Sequence, residues 1–405
     1  MSTPAVKMQS SDPGHFFETD AEQATRQRRA AKSGNIYGSP IILKSKILAA
    51  VLDPRSPSSA VLVAESAGAV RRVDFNDPEN TKTVYRGSTT PVSCVTVGGP
   101  NNGTVFAGAW DKSVWSWDLS SKTPGKKYAG HADFVKAVVC AKLEGKDILI
   151  SGGADKKIIV WDVVSGARLH TLKDDVLNML SIQDLVVDHA ASTENEISLI
   201  SASSDPHIRR WKIRTDGWEQ VVEELPNAPG TERRTILEHE TTVYKLVLDH
   251  DGDEVDLWTS SGDGTAKCLS RIKNFTCEDS FHHGDHVRAV AVTDQWVITA
   301  GRDEDIKFWD RVTGKLYCSL LGHYDEVTEL VLLRDASGSA EKLCSVSIDG
   351  TVRVWPLDKP GLNALVEEQK KPVAEEKKEE TKPEGLLSAE EEAELAALME
   401  DDDEL

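Results

Sequence analysis

Four kinds of polar side chain recur together along this chain of 405 residues: a His, a Ser or Thr, an Asp and a Trp. The clearest set is His131, Ser151, Asp155 and Trp161, which lies among runs of Val and Ile. Their spacing allows a chain of hydrogen bonds from Asp to His to Ser, with the Ser hydroxyl accepting from the indole N–H. Because an unpaired buried polar group costs about 1–3 kcal/mol, this chain would allow all four side chains to be buried. The chemistry predicted from these residues is structural hydrogen bonding.

The pattern repeats along most of the chain. Six of the Asp residues are separated by 44, 50, 58, 40 and 46 positions, and five of them precede a Trp by six positions: Asp111, Asp155, Asp205, Asp303 and Asp349. The sixth, Asp263, has Leu269 in place of the Trp. Each repeat also contains short runs rich in Val and Ile, bounded by Gly, Asp and Lys, which predict strands. A period near forty residues that ends in Trp or Trp-Asp indicates the blades of a β-propeller.

Three of the six repeats carry all four polar residues. Besides the set around Asp155, the complete sets are His283, Thr299, Asp303 and Trp309, and His323, Ser345, Asp349 and Trp355. The other three repeats each depart from the pattern. One has His239, Thr259 and Asp263 but Leu269 in place of the Trp, and another has Ser201, Asp205 and Trp211 but Asn178 at the His position. The third has Asp111 and Trp117, with Ser88 at the His position and Ala107 at the hydroxyl position.

This arrangement resembles the structural tetrad of the WD40 family, and the match covers residues 36–358. The resemblance implies an all-β, seven-bladed propeller. The seventh blade is predicted upstream, in the runs at 47–51, 60–63 and 69–73, with Ala67 and Val73 at the Asp and Trp positions. In WD40 proteins the N-terminal strand commonly completes the last blade, and we expect residues 36–43 to do so here.

The two ends of the chain have a different composition. Residues 1–35 are polar and predict a flexible, disordered N-terminal arm. Residues 359–405 predict a mostly disordered acidic tail, since positions 367–405 contain 16 acidic and 5 basic residues and so account for −11 of the net charge of −20. Within the tail, Ser388 and Glu391 match a capping box, and Leu395, Leu398 and Met399 share one helical face, which predicts a short helix at 389–400.

Proteins of the WD40 family usually bind partners at the top face, around the mouth of the central channel. Three kinds of position predict a partner-binding set there, namely the residues aligned with Lys136 in the Val135-Lys136 register, residues before the turn Asp, and neighbours of this ring: Ser93, Lys136, Gln183, Tyr244, Arg288 and Thr328; Trp110 and Arg302; and Phe134 and His286. The set combines cations with aromatic residues, and by this alignment the mouth contains no carboxylates. On a chain with pI near 5.0 it predicts an acidic or phosphorylated peptide as ligand.

Other classes of function have little support in the sequence. No P-loop and no G-x-S-x-G elbow occurs, so we expect no enzyme activity and no cofactor. His282, His283 and His286 cluster near Cys277, but His283 belongs to a tetrad and no second ligand pair has zinc-site spacing, so no metal is expected. The six Cys residues form no C-x-x-C pair, and the chain shows neither a signal core nor a membrane-length apolar run. We therefore expect a monomeric propeller in the nucleus, the cytoplasm or both.

The leading hypothesis is a non-catalytic interaction scaffold, a subunit of a nuclear or cytoplasmic multiprotein complex. One alternative is an RNA-processing or ribosome-assembly factor that associates with RNA indirectly or through the cationic, aromatic mouth. Another is a substrate receptor of a cullin-type ubiquitin ligase, which the Trp211-Lys-Ile-Arg214 segment resembles weakly because the Asp of that motif is missing. Trp218, in an insertion at 215–232, is either a packed loop aromatic or a lateral anchor.

Overall fold

The computed structural model describes residues 19–225, 228–251 and 254–371. The described chain begins with helix α1 (Asp20–Lys32) and a short strand β1 (Ile41–Ile42). Seven four-stranded antiparallel sheets then form the predicted seven-bladed propeller, which confirms the fold class. Helix α2 (Lys359–Lys370) follows the last strand.

The first four blades contain strands β2 to β17, four in each. Blade 1 consists of β2 (Ile47–Leu52), β3 (Ala60–Glu65), β4 (Ala69–Asp74) and β5 (Val84–Arg86); blade 2 of β6 (Val92–Gly98), β7 (Thr104–Ala109), β8 (Ser113–Asp118) and β9 (Pro124–Ala129). Blade 3 consists of β10 (Val135–Leu143), β11 (Lys146–Gly153), β12 (Ile158–Asp162) and β13 (Arg168–Leu172); blade 4 of β14 (Ile182–Val187), β15 (Ile197–Ser203), β16 (Arg209–Ile213) and β17 (Trp218–Gln220).

A hairpin separates blade 4 from the last three blades, and it consists of β18 (Glu223–Leu225) and β19 (Ala228–Arg233). Blade 5 contains β20 (Val243–Asp251), β21 (Glu254–Ser261), β22 (Thr265–Ser270) and β23 (Thr276–His282); blade 6 contains β24 (Val287–Val292), β25 (Trp296–Gly301), β26 (Ile306–Asp310) and β27 (Leu316–Leu320). Blade 7 contains β28 (Val327–Arg334), β29 (Ala340–Ser347) and β30 (Thr351–Pro356), with β1 as its fourth strand.

The hydrophobic core lies between the blades. Seven apolar clusters fill the seven interfaces, and each cluster combines side chains from two neighbouring blades. The second strand of a blade is covered on both faces, so β3 and β25 are buried at all six of their positions. Radial repetition therefore buries sheets that could not be stable alone, as the repeat pattern requires.

Ring closure depends on two residues from the N-terminal region. Ile41 pairs with Val352 and Ile42 with Thr351, in antiparallel register. The strand is shorter than residues 36–43 because the chain turns at Gly38, which has a φ of +71° and lies against the Trp355 ring so closely that a Cβ would come within 2.8 Å of it. The Gly38 carbonyl still accepts from the Val354 N–H at 2.9 Å, so the closing segment is anchored on both sides of the turn.

At each end of the described part of the chain lies a helix that the sequence analysis did not assign. Within the N-terminal region predicted as a flexible arm, residues 20–32 form α1, which begins at a capping box between Thr19 and Glu22. The helix has no apolar face, so periodicity could not reveal it. Within the region predicted as an acidic tail, α2 buries Leu362 in the core shared by blades 6 and 7. The helix predicted at 389–400 lies outside the described residues.

The insertion after blade 4 supplies both a strand and the hairpin. Trp218 belongs to β17, and its ring packs edge-on against Trp211 with centroids 5.7 Å apart. Trp218 is thus a packed aromatic of the blade.

Candidate functional site

The tetrads are hydrogen-bonded structural groups. Their Asp residues lie in the turns between the second and third strands of the blades, and we call the end of the ring that carries these turns the top face. In blade 3, His131 Nδ1 lies 2.9 Å from Asp155 Oδ1, His131 Nε2 lies 2.8 Å from Ser151 Oγ, and the Trp161 indole donates to the same hydroxyl at 2.8 Å. The sets in blades 6 and 7 form the same chain of contacts, although the ring of His283 is reversed so that Nε2 faces Asp303. These buried groups satisfy one another, which removes them from candidate chemistry with a ligand.

The Asp of each tetrad is held ionised. Burial opposes ionisation of Asp303, but hydrogen bonds and charge from His283 and Lys307 lower its pKa to about 2. Burial lowers the pKa of His323 despite the attraction of Asp349, so this imidazole is neutral at physiological pH. A neutral His that donates one hydrogen bond and accepts another fits the tetrad geometry.

Blade 4 replaces the tetrad His with an arginine, which the sequence analysis missed. The buried Arg209 guanidinium donates to Asp174 at 2.7 Å and to Asp205 at 3.0 Å, while Trp211 still donates to Ser201 at 2.8 Å. Asn178, which the sequence analysis placed at the His position, lies instead in the preceding loop with a φ of +47°. Arg209 therefore holds the long loop before β14 against the blade.

In the other blades with an incomplete tetrad, the hydrogen bonds change where the sequence departs from the pattern. In blade 5 the His239, Thr259 and Asp263 contacts persist at 2.7–2.8 Å, with Leu269 buried where the Trp would stand. In blade 2 Asp111 accepts from the Trp115 indole, and Trp117 donates to the Arg86 carbonyl instead. Blade 1, with Ala67 and Val73 in place of Asp and Trp, contains a buried Glu65 paired with Arg71 at 2.5 Å.

The central channel is a cavity of about 670 Å³ lined by the first strand of every blade. Each of these strands contains a β-bulge that skips one residue, and a bulge can turn a side chain out of the regular ladder. The skipped positions line the channel: Leu48, Ser93, Lys136, Gln183, Tyr244, Arg288 and Thr328. Six of these seven belong to the partner-binding set predicted from the sequence.

The remaining residues of that set lie at the channel mouth. Trp110, His286 and Arg302 line the channel, and Phe134 stacks on Trp110 with ring centroids 4.8 Å apart and planes inclined by 15°. The Trp110 residue is 42% exposed and Phe134 39% exposed, so the stacked pair is accessible to a ligand. The structure thus brings the ten predicted residues to one region of the top face.

The expectation of a mouth without carboxylates was wrong. Asp184, Glu326 and Glu329 all line the channel. Glu326 lies 3.0 Å from Arg288, whose guanidinium also lies over the Tyr244 ring at 4.3 Å. The sequence alignment used the bulge residue and the residue before the turn Asp of each blade, so it left out the residues that flank the bulges, among them Asp184 and Glu329.

A partly buried ion cluster inside the channel was also missed. Lys245 Nζ lies 2.9 Å from Glu329 and 3.7 Å from Asp184. Burial alone would lower the pKa of Lys245, but the two carboxylates outweigh it and raise that pKa. Burial raises the pKa of Glu329 more than Lys245 lowers it. The cluster links blades 4, 5 and 7 across the channel, and Lys245 offsets the charge of one of its two carboxylates.

Lys136 is a channel cation whose ammonium is more acidic than usual. Burial, and then the positive charge of Arg288, lower the pKa of its ammonium to about 8. Its Nζ donates to Gln183 Oε1 at 2.7 Å, and Gln183 donates onward to Ser204. Lys136 has no carboxylate partner among the described residues, so its charge is available to an anionic ligand.

Across residues 19–225, 228–251 and 254–371, no group of three His, Cys, Asp or Glu side chains could hold a metal ion. No helix in that same part of the chain is long and apolar enough to cross a membrane. In the segment that resembles a ubiquitin-ligase receptor, Trp211 is buried and Arg214 is paired with Glu196 and Glu219.

Comparison with known proteins is consistent with the tetrads and the seven blades. Over 404 residues the chain is 30% identical to an uncharacterized WD repeat-containing protein of Schizosaccharomyces pombe, an alignment that covers 97% of this chain and 100% of that protein. The chain belongs to the WD-repeat family. The sequence model of the WD domain, G-beta repeat, matches residues 79–118, 122–162, 275–310 and 314–356 of this WD-repeat protein.

Two other relatives share only part of their length with this WD-repeat protein. The p21-activated protein kinase-interacting protein 1-like of Xenopus laevis is 22% identical, over 64% of this chain and 62% of its own. The pre-mRNA-processing factor 19 homolog 2 of Arabidopsis thaliana is 26% identical, over 54% of this chain and 37% of its own. WD40 propellers generally act as non-catalytic scaffolds that bind other proteins.

Proposed function

We propose that this protein is a scaffold subunit of a nuclear or cytoplasmic multiprotein complex, and that its top face binds an acidic or phosphorylated peptide. The observation that carries the proposal is the accessible Trp110–Phe134 stack beside the cationic channel mouth. Stacked aromatic rings offer a rigid apolar anchor, and adjacent cations offer partners for carboxylates or phosphates. A peptide that combines an apolar residue with negative charge would use both.

The charges of the mouth favour a short, specific contact. Four cations and three carboxylates line it: Lys136, Lys245, Arg288 and Arg302, with Asp184, Glu326 and Glu329. Arg288 and Lys245 are paired, whereas Arg302 is exposed and forms no ion pair with the described residues. The protein as a whole carries −20, so an acidic partner would be repelled at a distance and attracted only at the mouth.

The names of the relatives support a role in assembly. One relative is described as interacting with a protein kinase and another as a pre-mRNA-processing factor. For this chain we infer only the shared element, a propeller that presents binding surfaces to other proteins. The RNA-associated alternative is favoured by the same exposed aromatic pair, since bases stack on such rings.

Peptide selection with the purified full chain tests the proposal. A displayed random peptide library should yield ligands enriched in Asp, Glu and one large apolar residue. The double variant Trp110→Ala/Arg302→Glu should lose at least tenfold in affinity, about 1.4 kcal/mol, because it removes the anchor and reverses a cation.

The matched control is Val312→Ala/Lys315→Glu, which makes the same kinds of change at exposed positions in the turn between β26 and β27. It should bind like the unaltered protein. Replacing Glu by phosphoserine in a selected peptide separates phosphate from carboxylate recognition, and single-stranded RNA serves as a competitor. Ligands without acidic residues, or equal binding by both double variants, would contradict the proposal.

The affinity for an acidic peptide should also depend on pH through Lys136. Its pKa is about 8 in the free protein, and a bound carboxylate favours the charged form. Raising the pH from 7 to 9 removes the proton before binding, so affinity should fall by about tenfold. The Lys136→Arg variant stays charged throughout and should show a flat profile. Isothermal titration of a selected peptide at both pH values measures this; the same slope in both proteins would exclude Lys136 as a contact.

A further inference from the structure

Helix α1 is attached to the top face of blades 6 and 7 almost entirely through charge. Arg28 lies 3.0 Å from Glu304, Arg29 lies 2.6 Å from Asp325, and Lys32 lies 3.0 Å from Glu304 and 2.9 Å from Asp305. None of the side chains described in α1, residues 22–32, is buried. The three carboxylates, Glu304, Asp305 and Asp325, form what we call the acidic notch.

Glu304 is the centre of the notch, and a carboxylate is unusual at its position in the blade. It follows the tetrad Asp303 in the turn between β25 and β26, with a φ of +73°. The equivalent turns of blades 1, 5 and 7 have Gly there, and blades 2 and 3 have Lys112 and Lys156. A left-handed non-glycine residue costs free energy, about 1 kcal/mol, and the Glu304 side chain is 0% exposed beneath α1. A buried carboxylate at this position needs cations from outside its own turn.

The attachment of the linker does not depend on the helix. Asn35 donates to the Gly322 carbonyl at 2.7 Å and accepts from Arg353 at 2.8 Å, so the chain is fixed to blade 7 after α1 ends. α1 could therefore leave the notch without opening the ring. The Arg29–Asp325 pair joins two partly exposed side chains, so it contributes only about 0–1 kcal/mol and salt screens it, whereas Glu304 is shielded from solvent beneath α1.

We propose that the acidic notch is a binding site for an arginine- and lysine-rich helix, that α1 is its resident occupant, and that a basic helix of a partner protein can replace α1. The recognised pattern is three cations at positions i, i+1 and i+4, as in Arg28, Arg29 and Lys32. Because α1 is tethered, its effective concentration is high, and a competing helix must bind more tightly or arrive when α1 is weakened. This surface takes a ligand of opposite charge to that proposed for the channel mouth.

The test uses a labelled synthetic peptide of residues 19–34 and the full chain. Three proteins are titrated by fluorescence anisotropy at low salt: the unaltered chain, the variant Arg28→Glu/Arg29→Glu/Lys32→Glu, and that variant with Glu304→Gln added. The triple variant releases its own helix, so it should bind the peptide saturably and at least tenfold more tightly than the unaltered chain. Addition of Glu304→Gln, or a rise to 0.5 M salt, should abolish binding.

Two controls guard against nonspecific charge effects. Reversal of three exposed lysines elsewhere, Lys44, Lys142 and Lys315, should leave the affinity at the level of the unaltered chain. A peptide of the same composition with its cations rearranged should not bind. If the triple variant does not fold, the milder Arg28→Ala/Arg29→Ala pair takes its place. No saturable binding to a folded variant, or binding unaffected by Glu304→Gln, would overturn the proposal.

Discussion

Deletion of residues 36–46 is expected to abolish cooperative folding of the propeller. The deletion removes β1, the fourth strand of blade 7, and with it Ile41 and Leu43 from the core shared by blades 7 and 1. The exposed edge of β30 could then pair with another chain, so the variant should aggregate. Thermal unfolding followed by circular dichroism and light scattering measures this, and a cooperative melt like that of the intact chain would refute it.

Two adjacent isoleucines of β1 provide a matched pair of variants that test whether this strand closes the ring. Ile41 faces the core, whereas Ile42 is 75% exposed. Ile41→Asp places a carboxylate in the apolar interface and should lower the free energy of unfolding by about 2–4 kcal/mol. Ile42→Asp should change it by no more than about 0.5 kcal/mol. Equal effects at the two positions would show that β1 does not close the ring in this register.

Arg209→Ala is expected to destabilise the protein by about 3–5 kcal/mol. The guanidinium and the Asp174 side chain are fully buried, and removal of the cation leaves Asp174 and Asp205 without their ion pair. Both carboxylates have a pKa lowered by Arg209, which opposes the effect of burial. Denaturant unfolding at pH 7 measures the loss.

The neighbouring arginine is the control for this prediction. Arg210, on the same strand, is partly buried: it pairs with Glu223 at 2.7 Å and lies over the Phe275 ring at 4.8 Å, so Arg210→Ala should cost less than Arg209→Ala, about 1–2 kcal/mol. Because an uncompensated carboxylate can take up a proton, the deficit of Arg209→Ala should shrink at pH 4. If Arg209→Ala lowered the free energy of unfolding by less than 1 kcal/mol at pH 7, Arg209 would not stabilise blade 4 in the way that the tetrad His is expected to stabilise the other blades.

The repeat of the tetrads was sufficient to predict the propeller, because hydrogen-bonded Asp, His, Ser and Trp side chains are possible only at fixed places in a blade. The same regularity located six of the seven positions of the channel ring, since Lys136 and its five predicted counterparts occupy the bulge of the first strand in blades 2 to 7, whereas Leu48 of blade 1 was not predicted. A single template residue was enough to find the others. Regular features were thus predictable from one sequence.

The features that were not predicted are departures from the repeat. Arg209 lies in β16, the third strand of its blade, whereas the tetrad His131 lies in the loop before a first strand, so no alignment of His positions could find Arg209. Glu329 and Lys245 meet across the channel from blades 7 and 5, a contact that depends on closure of the ring. Helix α1 is positioned by charge without an apolar stripe, and charge pairing between residues 28 and 304 leaves no periodic signal.

Site-specific photo-crosslinking in the source cells tests the central claim, that partners bind at the top face beside the aromatic stack. A benzophenone amino acid is placed at Phe134, and at Val312, which is 91% exposed in the turn between β26 and β27. The account predicts discrete protein adducts from position 134 that are lost in the Arg302→Glu background, and none from position 312. Adducts only from position 312, or adducts from 134 that persist unchanged in that background, would contradict it.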